Sequence, residues 1–301
     1  MEKSDVIVER AVPGKPHAGK VLAAIQAHAD DIPLFCGGTM AKLIKEGYTA
    51  YLIQTTNDEK CGPTTSIGKT VLSNEEEVDA LVRVLRFKQV FNLGYRNHRQ
   101  DESPPVELRA RLVFLFRLLK VDTIFTFNPW GHNERNVDHS ILGRAVETVC
   151  WMAGGDKDYP EHFVAGLEPH GVSERYYWVA RHGQPHNRVV DISDVIEKKV
   201  AAISVNKSQG PGGSQGCQLR DRLAAQGRHL PELVGDDETI DRAYIRRFVL
   251  EEDRELGRKY GLDYAERFYY VASEPFYDTD SGPSKSPKVR DYIAKHAVPI
   301  E

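Results

Sequence analysis

The stretch Lys20–Gly38, KVLAAIQAHADDIPLFCGG, decides how the chain is read. Lys20–Ala27 is an apolar run of strand length. It ends in His28, Asp30 and Asp31. Over Pro33–Glu46, Leu34, Met40, Leu43 and Ile44 then recur at roughly helical spacing, and Gly47 stands where a helix would be capped. Strand, charged turn and helix make the opening of an α/β unit. Burying three ionisable groups within four residues is costly unless something offsets or uses their charge.

Outward from this stretch the alternation continues. Thr49–Thr56 (TAYLIQTT) predicts a strand, and Ser73 with Glu76 at the capping-box position predicts a helix to about Phe87. Gln89–Leu93 and Asp122–Asn128 predict strands; Pro105–Lys120 and Asp138–Met152 predict helices. The expected fold is α/β: a Rossmann-like, mostly parallel sheet with helices on both faces and C-terminal elaborations. The second half is less regular. Arg175–Arg181 predicts a strand whose Tyr176, Tyr177 and Trp178 belong to the core. Ser193–Ser208 predicts a helix with Asp194 and Glu197 spaced as a capping box. Gly210–Gly216 has the composition of a flexible loop, and Thr239–Tyr260 that of one charged helix, followed by the aromatic run Arg267–Ala272. No repeat or linker appears. One domain is expected over residues 1–280, with 281–301, and the stretch after Asp278 generally, as a poorly ordered or loosely packed tail.

A formal net charge of -4 gives no electrostatic footprint for nucleic acid or an anionic membrane. The first ten residues hold no apolar signal region, and no apolar run approaches the ~20 residues of a membrane span. Cys36, Cys61, Cys150 and Cys217 are scattered and form no CxxC pair, so neither a disulfide framework nor a cysteine zinc site is expected. A reduced, cytoplasmic setting is the simplest expectation. The oligomeric state stays open, a homo-oligomer included.

In open α/β sheets ligands bind at the carboxyl ends of strands. His28, Asp30 and Asp31 stand at one such end, and the stretch 128–139 (NPWGHNERNVDH) follows another. A divalent metal would resolve the charge problem. Imidazole and carboxylate suit zinc, and a catalytic zinc keeps three protein ligands and one open position. His28, Asp31 and His139 make such a set, with Asp30 left as a general base. Alternatively His28 caps the sheet and the aspartates cap the helix. Spacing alone leaves both open.

The stretch from Val21 to about Ala153, and with later segments most of residues 20–272, resembles the LmbE-like, or PIG-L, family of zinc-dependent N-deacetylases. The family's HPDD is His28-Ala29-Asp30-Asp31 here, followed by the glycine pair Gly37-Gly38. Its T-x-D-G/E turn is Thr56-Asn57-Asp58-Glu59. Its H-P-D-H is Asn136-Val137-Asp138-His139, with the small residue Gly143 after it. VVDISDVIEKKVAAISVNKSQ and YAERF resemble later family segments. The resemblance implies one Zn2+, or another divalent ion, on His28, Asp31 and His139, with Asp30 as base. It implies hydrolysis of an acetamide on an N-acetylated amino sugar or conjugate. Three departures stand out. Asn136 replaces the histidine that helps stabilise the oxyanion, Asn74 replaces the arginine of R-x-x-E, and Asn206 replaces the histidine of H-x-SQ. Altered substrate contacts are expected, with catalysis retained and Asn136 as an amide donor to the oxyanion. His132 and Glu134 share its loop and are candidates for catalysis and substrate contact. Arg96 and Asn97, beside His98, and Gln209 are further substrate candidates. Cys36 and Cys150 are expected as buried hydrophobes.

Rival functions are a zinc amidase for a non-sugar or thiol-conjugate amide, a metal-binding pseudoenzyme, and a Rossmann-type nucleotide binder. The last lacks the G-x-G-x-x-G loop: His-Ala-Asp-Asp stands in its place.

Overall fold

Leu22–Ile25, Leu52, Ile53, Ile124 and Phe125 are fully buried. Near-continuous apolar runs of this kind suit strands covered on both faces. A computed structural model, describing residues 6–62, 64–272 and 287–298, places them in the middle of one eight-stranded sheet. The strands are β1 (Ile7–Glu9), β2 (Val21–Gln26), β3 (Thr49–Thr56), β4 (Gln89–Tyr95), β5 (Thr123–Phe127), β6 (Glu174–Trp178), β7 (Arg188–Asp191) and β8 (Ala265–Ala272). Their order is β1-β7-β8-β6-β5-β2-β3-β4. All pairings are parallel except those of β8 with β6 and β7.

The helices are α1 (Asp31–Phe35), α2 (Gly37–Lys45), α3 (Ile67–Leu85), α4 (Pro105–Leu119), α5 (Val137–Met152), α6 (Glu161–Val164), α7 (Ile196–Ser204), α8 (Gln215–Ala224), α9 (Asp237–Tyr244), α10 (Glu251–Lys259) and α11 (Pro287–His296). From β2 the chain steps to β3 and β4 on one side, then returns to β5 and steps to β6 on the other. Right-handed crossovers in opposite directions put helices on opposite faces. Accordingly α2 packs with α3 and α7, and α4 packs with α5. The step reverses between β2 and β5, whose register pairs Ala24 with Phe125. That switch point is where an open sheet leaves a crevice for ligands.

The α/β architecture is as expected, and several local features differ. The helix expected over Pro33–Glu46 is two, broken at Cys36. Gly38 lets the second press against the chain after β7: a Cβ there would fall 2.8 Å from Ile192. Glu266 of β8 accepts the Gly38 and Thr39 N–H groups, at 2.9 and 2.7 Å, and so caps α2 across the sheet. Its charge is matched by Lys199, 1% exposed, whose Nζ lies 2.8 Å from Glu266 and 2.6 Å from Asp253.

Helix α3 starts at Ile67, so Ser73 is interior rather than a cap; its hydroxyl meets Ser208 at 2.9 Å. Asp194 and Glu197 form no capping box. A 3-10 turn, Ser193–Val195, precedes α7, Asp191 accepts from Ser193, and Glu197 pairs with Arg246. The charged segment Thr239–Tyr260 is interrupted by a π turn, Ile245–Val249. The Gly210–Gly216 segment is close-packed, not a free loop: a Cβ on Gly212 would strike Ile203, and one on Gly213 the Asn206 carbonyl.

Tyr176, Tyr177 and Trp178 are core, as are Cys36 and Cys150; all four cysteines are free thiols. Of the expected tail, 281–286 and 299–301 lie outside the described residues, as do residues 279 and 280 of the stretch after Asp278. Residues 291–298 are exposed, with α11 covering Pro287–His296. Among the described residues no helix is long and apolar enough to cross a membrane.

Candidate active site

His28 follows β2 and His139 lies in the first turn of α5, after β5, so the two meet at the switch point. His28 Nδ1 and His139 Nε2 face each other at 3.0 Å. Asp31 opens α1 and folds back: its Oδ2 accepts the N–H of Ala27 at 3.0 Å and of His28 at 2.8 Å. Its oxygens stand 3.9 Å from His28 Nδ1 and 3.6 Å from His139 Nε2. His139 also stacks on Phe127 at 3.8 Å between centroids. Gly143 allows this approach of helix to strand, because a Cβ there would fall 2.8 Å from the Phe127 carbonyl.

Each histidine turns its other nitrogen to a carboxylate. His28 Nε2 lies 3.1 Å from Asp138 Oδ2, and His139 Nδ1 lies 3.3 Å from Glu134 Oε2. Asp138 is held by the N–H groups of His98 and Gln100, at 2.6 and 3.3 Å. Carboxylates in these places hold the ring protons on the far nitrogens. Two ring lone pairs and a carboxylate then converge on one point, an arrangement that repels itself unless a cation lies between. An ion ~2.1 Å from each ligand of a tetrahedron would set them ~3.4 Å apart. The observed 3.0, 3.6 and 3.9 Å bracket that spacing. The group His28, Asp31, His139 therefore fits a divalent ion. Burial opposes charge on His28, but Asp138, Asp31, Asp58 and Asp30 outweigh it and raise its pKa to about 9, so the surroundings favour a cation here.

Asp30 is pushed up to about 7, first by burial and then by Asp31. Gly210, at φ +74, packs directly on its carboxylate. Asp58, at the end of β3 with φ 52, accepts the Ala29 N–H at 2.7 Å and so shapes the His28–Asp31 turn. Burial raises Asp58 to about 6. Gln209 Nε2 reaches Asp58 at 3.0 Å and Asn74 at 3.1 Å. Asn74 in turn donates to the Asp58 and Cys61 carbonyls. Glu77 accepts from Ser208. The Asn74–Glu77 and Ser208–Gln209 segments thus fasten to each other and to the turn beneath Asp30.

The remaining expected site residues take varied places. Asn136 is the N-cap of α5: its Oδ1 accepts the Asp138 N–H at 3.0 Å, leaving Nδ2 as the donor the cap does not use. Glu134, expected at the substrate, instead lies behind His139. Its Oε1 takes the Asn136 N–H and Arg181, and burial's upward push is outweighed by His139, Asn136 and Arg181, which bring it to about 2. His132 is exposed, its carbonyl bonded to Gln184 and its ring beside Gly183; it is not part of the converging group. Arg96 is half-exposed and pairs with Glu59 at 2.8 Å. Asn97 is fully buried, with a Cys61 Sγ contact at 3.9 Å. Asn206 is buried under the Gly213 turn rather than at the site. Sequence reasoning missed the supporting parts of Asp138, Asp58 and Glu134. For Asp138 a signal existed, since it directly precedes a ligand histidine; for Glu134 none did, because its role depends on Arg181 from another loop.

A model of the GlcNAc-PI de-N-acetylase (PIG-L) family matches residues 23–150, which hold all three converging residues. A diacetylchitobiose deacetylase of Thermococcus kodakarensis is 30% identical over 198 residues, 64% of this chain and 71% of that one. The N,N'-diacetylchitobiose deacetylase structure from Pyrococcus horikoshii shares the fold at TM-score 0.67 and 23% identity, covering 87% of each chain. The fold is also that of GalB, the 4-carboxy-2-hydroxymuconate hydratase of Pseudomonas putida KT2440, at TM-score 0.62 and 16% identity, covering 86% of this chain and 99% of that one. Sequence kinship and site together define a hydrolase of the N-deacetylase class. Within that class, the chain belongs to the PIG-L family.

Proposed function

We propose that the chain is a zinc-dependent N-deacetylase acting on an N-acetylated amino sugar or sugar conjugate. The observation that carries this reading is the convergence of His28, Asp31 and His139 beside a half-buried Asp30 at the switch point. The sugar class is supported by the relative from Thermococcus kodakarensis. When bound, the ion supplies Lewis acidity, polarising the acetamide carbonyl and acidifying water.

The chain's own groups do the rest. His28, Asp31 and His139 hold the ion. Asp30 takes a proton from the attacking water and returns it to the nitrogen as the C–N bond breaks, giving acetate and a free amine. Asn136 Nδ2 donates to the oxygen that gains charge. Gln209 steadies the turn beneath, and Arg96 stands at the rim to meet the sugar.

Zinc content of the purified protein and free-amine release from a panel of N-acetylated sugars and non-sugar acetamides test the reading. One zinc per chain and release from sugar acetamides are expected. Release from non-sugar amides alone would overturn the substrate class. A metal-loaded protein that releases no amine from any member would overturn the reaction.

A further inference from the structure

Arg181 lies on the loop after β6 and is about a third exposed, as a surface ion-pair residue would be. Surface pairs ordinarily contribute little to stability and need no function. This one differs in what its partner does. Arg181 Nη2 stands 2.9 Å from Glu134 Oε1, which also accepts the Asn136 N–H at 2.8 Å. With that oxygen doubly held, Oε2 is turned to His139 Nδ1 at 3.3 Å. Both of these atoms are buried, and among the described residues neither makes a hydrogen bond elsewhere, so each has only the other within reach.

We infer that Arg181 is a positioning residue for the metal centre: it clamps Glu134 so that Glu134 keeps the ring proton on His139 Nδ1 and leaves the Nε2 lone pair for the ion. The inference rests on His139 being a ligand. The two histidines are braced differently. Asp138, behind His28, is held by main-chain N–H groups. Glu134, behind His139, has one main-chain donor, the Asn136 N–H, and takes its second from a side chain on a separate loop. That loop is fixed in turn: Gln184 Oε1 accepts the Arg181 N–H at 3.3 Å, and Gln184 Nε2 donates to the His132 carbonyl at 2.8 Å. Gly131 makes room, since a Cβ there would fall 2.7 Å from Gln184 Nε2. The brace thus joins the loops after β5 and β6, and the ligand set feels both.

The test is zinc affinity of the full-length metal-free protein by chelator competition, for the parent, Arg181→Met, Arg181→Lys, Glu134→Gln and the Arg181→Met/Glu134→Gln pair. Thermal unfolding of the metal-free forms confirms that each is folded. Arg181→Met is expected to weaken zinc binding ~10–100-fold, as loss of an outer partner of a ligand histidine does. Arg181→Lys should restore most of it. In the Glu134→Gln background Arg181→Met should cost little further, because its effect travels through Glu134. Arg181→Met binding zinc like the parent, or weakening it equally in both backgrounds, overturns the inference alone. A parent that takes up no divalent ion overturns the reading of the centre, and this inference with it.

Discussion

Gly210 lies against Asp30: a Cβ on this glycine would sit 3.0 Å from the Asp30 carboxylate oxygen. Its φ of +74 adds strain for any other residue. Gly210→Ala should therefore shift the carboxylate by a few tenths of an ångström without touching a ligand. We expect kcat to fall ~10–100-fold, as misplacement of a catalytic group does, with zinc content unchanged. Steady-state kinetics with metal analysis checks this. Unchanged kcat would mean that the Asp30 position is not critical.

The two adjacent aspartates should separate cleanly. Asp30→Asn keeps volume but loses the basic oxygen, so activity should fall ~10²–10⁴-fold while metal stays bound. Asp31→Asn should lose the metal itself. Equal metal loss in both variants would show the roles to be wrongly divided.

Asn136 has a structural role beside its proposed catalytic one. Asn136→Ala removes the cap of α5 and should cost ~1 kcal/mol in stability. Asn136→Ser restores a capping oxygen but no amide. Its stability should return while kcat stays down by up to ~10²-fold. Denaturant unfolding beside kinetics separates the two, and full activity in the serine variant would leave Asn136 a cap alone.

Lys199→Met would leave buried Glu266 and partly buried Asp253 without their cation. Removing one partner of a buried pair costs ~3–5 kcal/mol, which urea unfolding at neutral pH should register. The loss should shrink on acidification. Burial raises Asp253 to about 6 even beside Lys199. The native chain therefore binds that proton more tightly than the unfolded one, and the carboxylate's penalty fades as pH falls from 7 through 6 toward its unfolded value of ~3.9. A loss that grows on acidification would contradict this account.

The central strands were legible because Leu22–Ile25 is apolar throughout and Ile124–Phe127 is apolar but for Thr126, as burial on both faces demands. The converging trio was legible because each member sits in a short motif at a strand end. Strands β1 and β7 were not: three and four residues carry too little pattern. Nor was the break at Cys36, which depends on Glu266, far away in sequence. Asn136 and Glu134 show the same limit. Their loop was identified, but whether a side chain faces substrate or backbone depends on partners such as Arg181 and the Asp138 N–H, which sequence spacing does not place.

The position of β8 has a consequence for biosynthesis. β1 joins the sheet through β7, and β7 joins it through β8, the last strand in sequence among the described residues. A chain leaving the ribosome has His28, Asp31 and His139 long before Glu266 emerges. Until it does, the first amides of α2 lack their acceptor and Lys199 lacks one of its two anions, Asp253 being the other. A nascent fragment ending before β8 would thus carry the ligands without the brace beneath them. Strands β1 and β7 thus reach the sheet only through a strand made after them, so the order of translation is not the order of assembly.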